Sequence, residues 1–204
     1  MSAEERMGFI LAGGHSSRMG AEKALLPIKG RLLIEWIIQR LRPAVDRICL
    51  IANPRNIEDL RVVRADAWIT DLAPDRGPLM GVYTGLMWTD TPLNVFVACD
   101  MPGIESPLIG RLLSAWRPDL QAVASRGEDG QVYPLPMVCH RRAVRAVGAL
   151  LDRGEPSLRA LMRGPQTQLI DVQDGSQSQS QFTNVNTMAD YRRLTDEQPL
   201  PFRR

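Results

Sequence analysis

The sequence predicts a single α/β domain, residues 1–204, in which helices cover both faces of a mainly parallel central sheet. Short apolar runs, such as Met7 to Leu11 and Arg47 to Ala52, alternate with segments that carry apolar residues at helical spacing. These runs are continuously apolar, which is typical of strands that are covered on both faces of a parallel sheet. The length of 204 residues suits one domain of this class and is enough to bury a full core.

Composition and charge narrow the class of protein further. The chain is 44% hydrophobic and 24% charged, which is ordinary for a globular protein, and its formal charge of +2 is too small to indicate a nucleic-acid surface. No apolar stretch approaches the ~20 residues that a membrane helix needs. The start, Met1 to Arg6, is acidic and unlike a secretory signal. We therefore expect a cytoplasmic protein with no nucleic-acid or membrane partner.

The cysteines and histidines are poor candidates for a metal site. Cys49, Cys99 and Cys139 each lie in an apolar strand-like run, and none belongs to a C-x-x-C pair. We expect them to be buried, reduced thiols that pack as small apolar side chains. His15 and His140 stand apart and are too few for a histidine-based site.

The first part of the chain predicts a βαβ unit. After the strand Met7 to Leu11, apolar residues at helical spacing predict a helix from Arg31 to Arg42, which Pro43 ends. The run Arg47 to Ala52 is the second strand. Ligands of open α/β sheets bind at the carboxyl ends of the strands, and the first strand ends in a glycine-rich loop.

That loop, within the stretch Ile10 to Leu25, carries the strongest functional signal. Gly13 and Gly14 can turn the backbone sharply and bring N–H groups against a ligand, while Arg18 and Lys23 add positive charge. The spacing fits neither the P-loop nor the dinucleotide fingerprint. The stretch predicts a phosphate-binding loop, with an ordinary strand-to-helix turn as the alternative.

Two further strands end in carboxylates. The strand Ala67 to Thr70 delivers Asp71, and a helix is predicted from Pro78 to Trp88, with proline at its first position. The strand Asn94 to Cys99 delivers Asp100. A carboxylate at this edge could hold Mg²⁺, which prefers oxygen ligands, or it could simply begin a turn.

The second half of the chain predicts three helices and two strands. The helices are Ser106 to Trp116, Arg141 to Leu151 and Pro156 to Met162, and the strands are Leu120 to Ala124 and Leu135 to Cys139. We expect Ser106 to be an N-cap. Because Pro134 and Pro136 cannot donate to a sheet ladder, the strand that contains them is not expected to be central.

The last part of the chain is polar. Residues 174–181 are of low complexity and predict a mobile loop, and residues 195–204 predict a loose tail. Between them, Asn184 and Asn186 would point to the same side of an extended segment. Thr187 begins a T-M-A-D run that resembles a capping box.

Four of these motifs, in this order, resemble signatures of nucleotidyltransferases, and specifically of the molybdenum cofactor guanylyltransferase (MobA) family. They are L-A-G-G-x-S-x-R-M-G-x-E-K from Leu11 to Lys23, G-P-L-x-G from Gly77 to Gly81, C-D-x-P from Cys99 to Pro102, and F-x-N-V-N-T from Phe182 to Thr187. The resemblance covers nearly the whole chain and implies a three-layer, Rossmann-like nucleotidyltransferase fold. The implied reaction transfers GMP from Mg·GTP to the terminal phosphate of molybdenum-molybdopterin and releases pyrophosphate.

The resemblance also implies roles for single residues. The implied nucleotide-binding residues are Leu11, Ala12, Gly13, Gly14, Lys23, Asn53, Asp71 and Asp100. The implied catalytic residues are Lys23, Arg18 and Asp100, with Asp100 holding the Mg²⁺ cofactor, and the implied acceptor-binding residues are Asn184 and Asn186. The implied partners are GTP, molybdenum-molybdopterin, and proteins of molybdenum insertion and molybdoenzyme maturation.

One departure from the family pattern keeps alternatives open. Ile51 stands where the family has the first asparagine of N-A-N, and only Asn53 remains, which could equally cap a turn before Pro54. The alternatives are a cytidylyltransferase that acts on molybdopterin, a sugar-phosphate nucleotidyltransferase of the same fold, and a non-catalytic nucleotide-binding module. The segment Phe182 to Thr187 argues against the first two. Retention of both a loop lysine and a strand-end carboxylate argues against the third.

Overall fold

The computed structural model describes residues 5–13, 22–172 and 181–196. The strands in these ranges are β1 (Arg6–Ala12), β2 (Pro27–Ile28), β3 (Arg31–Leu32), β4 (Arg47–Ala52), β5 (Ala67–Thr70), β6 (Leu93–Ala98), β7 (Ala122–Arg126), β8 (Val132–His140) and β9 (Thr167–Asp171). The α-helices are α1 (Leu33–Leu41), α2 (Ile57–Leu60), α3 (Pro78–Trp88), α4 (Ser106–Ala115), α5 (Val144–Asp152), α6 (Leu158–Met162) and α7 (Met188–Asp196).

The central sheet has the strand order β5-β4-β1-β6-β8-β7-β9. β1 lies parallel to both β4 and β6, β4 is parallel to β5, and β7 is parallel to β9. β8 is antiparallel to both of its neighbours, β6 and β7. The prediction of a mainly parallel sheet is therefore confirmed, with one reversed strand inside it.

Helices cover both faces of this sheet, which gives the predicted three layers. On one face, buried residues of α1, α2 and α4 pack against the sheet, and Ile37 and Ile109 are fully buried there. On the other face, α3, α5 and α6 bury Leu79, Val147 and Leu161. Because both faces are covered, most residues of the central strands β1, β4 and β6 are buried, as their apolar sequences predicted.

A smaller cluster joins the C-terminal part of the described chain to the hairpin of β2 and β3. Val185 is buried against Ile28, Leu33 and Trp36. In addition, the Tyr191 hydroxyl donates a hydrogen bond to the backbone carbonyl of Pro27. This cluster holds the segment before α7 against the domain.

The parallel strands β5, β4, β1 and β6 all end at the same edge of the sheet. Their pairing places Leu11 between Ile51 on one side and Ala98 on the other. The loops that follow these strands therefore lie side by side, although they are far apart in sequence. This edge is where ligands of α/β sheets bind.

The position predicted for the proline-containing strand is wrong. β8 lies between β6 and β7, and its pairing with β6 involves only the stretch Met137 to His140. Its pairing with β7 breaks in register between Val123 and Ser125, opposite the part of β8 that contains Pro134 and Pro136. The prolines are tolerated because they lie where the ladder is interrupted.

The predicted N-cap of α4 is also wrong. Glu105 is the N-cap, and Ser106 is the first helical residue. The Ser106 hydroxyl instead donates a hydrogen bond of 2.7 Å to the carbonyl of Arg40 in α1. That carbonyl belongs to the last turn of α1, whose carbonyl groups have no N–H partner within the helix. It therefore accepts a hydrogen bond from another helix.

The predictions for the cysteines and for the end of α1 are confirmed. Cys49, Cys99 and Cys139 are buried free thiols. α1 ends at Leu41, and Pro43 lies in the short 3-10 helix that follows it. Among the described residues, no helix combines the length and apolar composition that crossing a bilayer requires.

Two predictions concern parts of the chain outside the described residues. The loop predicted at 174–181 falls there except for its last residue, and so does the predicted tail from residue 197 onward. The first two residues of that tail, 195 and 196, belong to α7.

Candidate active site

A cleft of about 320 Å³ opens at the carboxyl edge of the parallel strands. Its lining comes from the ends of β1, β4, β5 and β6 and from the start of α3. The lining residues are Leu11, Ala12, Gly13, Glu22, Lys23, Ile51, Asp71, Asp75, Gly77, Pro78, Gly81, Ala98, Cys99, Asp100 and Leu135. The cleft thus combines an apolar floor with one lysine and several carboxylates.

The end of β1 brings Gly13, where the glycine-rich loop begins, into this cleft. Leu11, Ala12 and Gly13, all predicted nucleotide-binding residues, line it. A Cβ at Gly13 would lie 3.5 Å from the backbone nitrogen of Asn53, which is close to the limit of ordinary contact. Gly14 and Arg18, for which phosphate-binding roles are predicted, lie outside the described residues.

Lys23 and Asp100 meet inside the cleft. The Lys23 Nζ lies 3.0 Å from Asp100 Oδ2, and the two side chains are only 14% and 17% exposed. Because the pair is largely withdrawn from water, solvent screens its attraction less than that of a surface ion pair. The loop lysine and the strand-end carboxylate that the sequence predicted to converge therefore lie in direct contact.

The second oxygen of Asp100 is a suitable metal ligand. Asp100 Oδ1 is buried and accepts no hydrogen bond from any residue that the structure describes. A buried carboxylate oxygen normally has a partner, and a hard cation such as Mg²⁺ binds such oxygens. Within the described ranges, no group of three or more His, Cys, Asp or Glu residues could hold a metal. A site at Asp100 would thus take its other ligands from phosphate oxygens and water, as Mg²⁺ sites commonly do.

Cys99 lies beside this carboxylate and also lines the cleft. Burial is the main cause that raises the pKa of the Cys99 thiol, and the adjacent Asp100 charge raises it further. A thiol in this environment stays protonated at neutral pH and is a poor nucleophile. The cysteine in the C-D-x-P motif therefore has a packing role.

The segment before α7 docks directly on Asp100. The Val185 N–H donates to the Asp100 carbonyl at 2.9 Å. The Asn186 side-chain oxygen accepts a 3.1 Å hydrogen bond from Lys23 Nζ. Asn184 and Asn186 are both exposed, while Val185 between them is buried, so the alternation expected of an extended segment is present.

The capping box predicted at the start of α7 is confirmed. The Thr187 hydroxyl accepts from the Asp190 N–H at 3.1 Å, and Asp190 Oδ2 accepts from the Thr187 N–H at 2.9 Å. The pKa of Asp190 is lowered mainly by the hydrogen bond that its carboxylate accepts from the Thr187 hydroxyl. This cap fixes the backbone immediately after Asn186.

Asp71 forms part of the opposite wall of the cleft. Its Oδ1 accepts hydrogen bonds from the Thr84 hydroxyl at 3.0 Å and from the Ala73 N–H at 3.2 Å. Burial raises the pKa of Asp71, and the charge of nearby Asp75 acts in the same direction. The carboxylate is thus held in a fixed orientation by α3 and by its own turn.

Asn53 forms a turn at the end of β4. Its side-chain oxygen accepts from the Arg55 N–H at 3.0 Å, and its amide nitrogen donates to Asp75 Oδ1 at 3.4 Å. The turn-forming interpretation is therefore seen in the structure. The nucleotide-binding role of Asn53 stays a prediction, and Asn53 is not among the residues that line the cleft.

The G-P-L-x-G motif places the start of α3 against the cleft. Gly77 has a φ of 83°, which favours glycine, and Pro78 occupies the first turn, where its missing N–H costs nothing. A Cβ at Gly81 would lie 2.9 Å from Leu11 Cδ2, so this glycine lets α3 approach β1 closely. The N-terminal end of α3 consequently faces the ligand-binding edge.

Sequence reasoning missed three polar residues at this site. Asp75 lines the cleft, Glu22 lines it beside Lys23, and Asn56 hydrogen-bonds to Glu22 from the turn after β4. Glu22 lies inside the glycine-rich motif and Asp75 lies two residues before the G-P-L-x-G motif, so their positions were a usable signal. Asn56 lies in no motif, and only its place after a strand that ends at this edge could have indicated it.

Fold and site together define a class of protein. A glycine-rich loop after β1, a lysine paired with a strand-end carboxylate and a helix start that faces the same cleft are the parts that bind and activate a nucleoside triphosphate. The protein is a nucleotidyltransferase.

Comparison with known proteins gives the family. The model of the "MobA-like NTP transferase domain" matches residues 8–172, and the chain belongs to this family. It is 34% identical to a molybdenum cofactor guanylyltransferase of Vibrio parahaemolyticus, over 87% of this chain and 89% of the relative. It is also 34% identical to one of Serratia proteamaculans, over 97% and 98% of the two chains.

A solved structure supports the fold. The "molybdopterin-guanine dinucleotide biosynthesis protein A" of Archaeoglobus fulgidus superposes with a TM-score of 0.76 over 93% of this chain and 97% of its own. The two sequences are 20% identical. At that identity the likeness is evidence for the fold alone.

Proposed function

We propose that this protein transfers GMP from Mg·GTP to the terminal phosphate of molybdenum-molybdopterin and releases pyrophosphate. One observation carries the proposal, namely that Lys23 donates hydrogen bonds both to Asp100 and to Asn186. A residue expected on the nucleotide side, the expected metal ligand and a residue expected on the acceptor side thereby meet at one ammonium group. The relatives with the guanylyltransferase name supply the identity of the two substrates.

The chemistry requires positioning and charge neutralisation rather than proton transfer. The second pKa of a phosphate monoester is about 6, so the acceptor phosphate is already a nucleophilic anion at neutral pH. It would attack the α-phosphorus in line while pyrophosphate leaves. No general base is required for this step, and the described residues that line the cleft supply a lysine and carboxylates for charge neutralisation and metal binding.

The residues of the cleft would divide this work. The Lys23 ammonium neutralises charge on the reacting phosphates, and the backbone at Gly13 orients the triphosphate. The carboxylate of Asp100 would hold Mg²⁺, which when bound gathers the phosphate oxygens and polarises the α-phosphorus. The buried Asp100 Oδ1, which lacks a partner among the described residues, supports this role.

The polar wall of the cleft supports guanine as the base. Asp71 and Asp75 present carboxylate oxygens, which only accept hydrogen bonds. Guanine has an amino group and a ring N–H on adjacent positions, whereas cytosine offers one amino group. An acceptor-rich wall therefore suits guanine better.

A cytidylyltransferase is the second candidate because of Ile51. This residue lines the cleft where the family pattern has an asparagine, so one polar contact expected for guanine is replaced by an apolar one. The binding of cytosine, which is smaller than guanine, would be weakened less by the loss of that polar contact. The choice of nucleotide is the point that most needs measurement.

The acceptor side and the cellular setting complete the proposal. Asn184 and Asn186 would bind the pterin acceptor with their side-chain amides. Asn186 would do so beside the reacting phosphates, because it is hydrogen-bonded to Lys23. The protein would act in the cytoplasm as one domain over residues 1–204, and it would hand its product to molybdenum-insertion and molybdoenzyme-maturation proteins.

Side-by-side binding of GTP, CTP, ATP and UTP, with and without Mg²⁺, tests the choice of substrate. We expect Mg²⁺-dependent binding with GTP strongest, and pyrophosphate release only when molybdenum-molybdopterin is added. Preferential binding of CTP would replace guanine by cytosine in the proposal. Nucleotide binding without any pyrophosphate release would favour the non-catalytic alternative.

A further inference from the structure

Asn56 is a buried residue whose side-chain amide forms its hydrogen bonds with other parts of the chain and not with the helix that it precedes. It lies at the N-cap position of α2, where a side chain commonly caps its own helix, yet it makes no capping hydrogen bond to α2. Its exposure is 7%, so its polar atoms need partners within the protein. Those partners lie in two distant segments of the chain and in the turn that contains Asn56 itself.

The side chain uses both of its donor hydrogens and its acceptor. Nδ2 donates to the Ala12 carbonyl at 2.9 Å and to Glu22 Oε2 at 2.8 Å. Oδ1 accepts from the Asn53 N–H at 2.9 Å. No donor hydrogen is left for a ligand, and Asn56 is not among the residues that line the cleft, so it is assigned no contact with the nucleotide.

The partners of Asn56 mark the entry and the exit of the glycine-rich loop. Ala12 is the last residue of β1 and precedes Gly13, and Glu22 precedes Lys23. Glu22 Oε1 also accepts from the Ala24 N–H at 3.4 Å, which caps the short 3-10 helix Lys23–Leu25. One buried side chain thus ties the start of the loop to the backbone that carries the lysine.

We propose that Asn56 and Glu22 form a positioning pair that holds Gly13 and Lys23 in the arrangement that binds nucleotide phosphates. The ligand in this statement rests on the proposed function, whereas the contacts of the pair do not. A loop whose ends are already fixed loses less conformational freedom when it binds, so the pair raises affinity without touching the nucleotide. The pair is a positioning device and neither member is assigned a catalytic role.

The length of the Glu22 side chain offers a sharp test. Aspartate keeps the charge but is shorter by one carbon–carbon bond, about 1.5 Å. From position 22 it would not reach Asn56 within hydrogen-bond distance, because the present contact is 2.8 Å long. Glu22→Asp therefore removes the tie while it preserves the charge of the cleft.

The experiment uses the full chain and four variants: Glu22→Asp, Asn56→Ala, the double variant, and the control Glu58→Gln. Glu58 lies on α2, two residues from Asn56, and its side chain is 76% exposed. The affinity for Mg·GTP is measured by calorimetry. The exchange rates of the Gly13, Lys23 and Ala24 amides are measured by NMR.

We expect Glu22→Asp and Asn56→Ala each to weaken Mg·GTP binding by about tenfold, since each removes a hydrogen bond that involves a charged group. The exchange of the Lys23 and Ala24 amides should accelerate while the melting temperature of Glu22→Asp changes little. The affinity of the double variant for Mg·GTP should be no lower than that of whichever single variant binds more weakly, because the two substitutions remove the same contact. Glu58→Gln should behave as the unmodified protein.

Additive losses in the double variant, or unchanged exchange at Lys23 in Glu22→Asp, would overturn the positioning pair. If the unmodified chain binds no nucleotide, the proposed function fails, and the amide exchange rates alone still decide whether the pair fixes the loop ends. If Asn56→Ala does not fold, Glu22→Asp decides the question, because Glu22 is partly exposed at the cleft and its replacement leaves the core intact.

Discussion

The two halves of the central sheet differ in what their strands deliver to the cleft. In the parallel half, β5, β4, β1 and β6 all end at the cleft, and the residues that follow them include Gly13, Asp71 and Asp100. In the other half, β8 runs in the opposite direction and contributes the apolar side chain of Leu135 from its first part. Parallel pairing therefore brings the residues that follow four strands to one edge of the sheet, where they line the cleft. The reversed strand β8 adds an apolar side chain to the wall of that cleft.

Both halves contribute fully buried side chains to the core, and the strand ends of the two halves differ in their chemistry. Phe9 of β1 stacks on Phe96 of β6 with a centroid distance of 4.9 Å, and Met137 of β8 is 0% exposed. Substitutions in the core of the second half should thus change stability, and substitutions at the strand ends of the first half should change turnover.

Met137→Ala tests the packing side of this contrast. Truncation of a buried methionine leaves a cavity, so we expect the free energy of unfolding to fall by about 2–5 kcal/mol. Turnover, measured at a temperature at which the variant is still folded, should change less than about twofold. Urea denaturation and the pyrophosphate-release assay measure the two effects. A large loss of turnover in a folded variant would contradict the separation of the halves.

Asp100→Ala tests the chemical side. We expect turnover to fall by at least about 10²-fold, the size typical of one electrostatic element of an active site, with the fold intact by circular dichroism. Asp90→Ala is the matched control, since Asp90 precedes the opposite end of the same strand, β6, and its side chain is 98% exposed. Near-normal turnover of Asp100→Ala would remove the metal assignment.

Lys23→Met removes the ammonium group that joins Asp100 to Asn186. We expect kcat/KM for the nucleotide to fall by about 10- to 100-fold, because charge-assisted hydrogen bonds are lost in a largely buried site. Lys29→Met is the control, since Lys29 is exposed in the turn between β2 and β3 and does not line the cleft. Steady-state kinetics with varied GTP measure the effect, and equal losses in the two variants would contradict it.

Asn186→Ala should have a smaller effect than Lys23→Met. It removes one neutral acceptor of the Lys23 ammonium, so we expect a loss of about three- to tenfold in kcat/KM. Asn184→Ala provides the comparison, because Asn184 flanks the same buried Val185. If Asn184 acts only on the acceptor, its variant should raise the KM for molybdopterin and leave that for GTP unchanged.

The smallest expected effect is on stability and depends on pH. Burial raises the pKa of Asp71, so the folded protein holds this proton more tightly than the unfolded chain does. This contribution to stability is fully present below the pKa that Asp71 has in the unfolded chain. It is lost as the pH rises through the higher pKa that Asp71 has in the folded protein. The free energy of unfolding of Asp71→Asn should therefore exceed that of the unmodified protein increasingly between about pH 4 and neutrality, by less than about 1 kcal/mol. Urea titrations across this range should show the gap widening, and a gap that narrows would be evidence against a raised pKa.

Local sequence patterns were enough to predict the class of fold and most of the residues that line the candidate site. Continuous apolar runs predicted buried parallel strands, because a strand that is covered on both faces has no polar face to show. The glycine-rich loop and the C-D-x-P motif pointed to Lys23 and Asp100, because phosphate and metal binding demand backbone donors, a cation and a carboxylate. These signals are local, and each can be read within a few residues.

Which of these residues contact one another depends on how the whole chain folds. Lys23 is separated by 77 positions from Asp100 and by 163 from Asn186, and no local pattern relates positions so far apart. The interior position of β8 was missed for the same reason: its prolines forbid a continuous ladder, but where the ladder is interrupted depends on the register with β7. Asn56 also gained its role from its neighbours, because the burial of apolar strands fixes their order in the sheet, and that order sets which strand ends and turns meet.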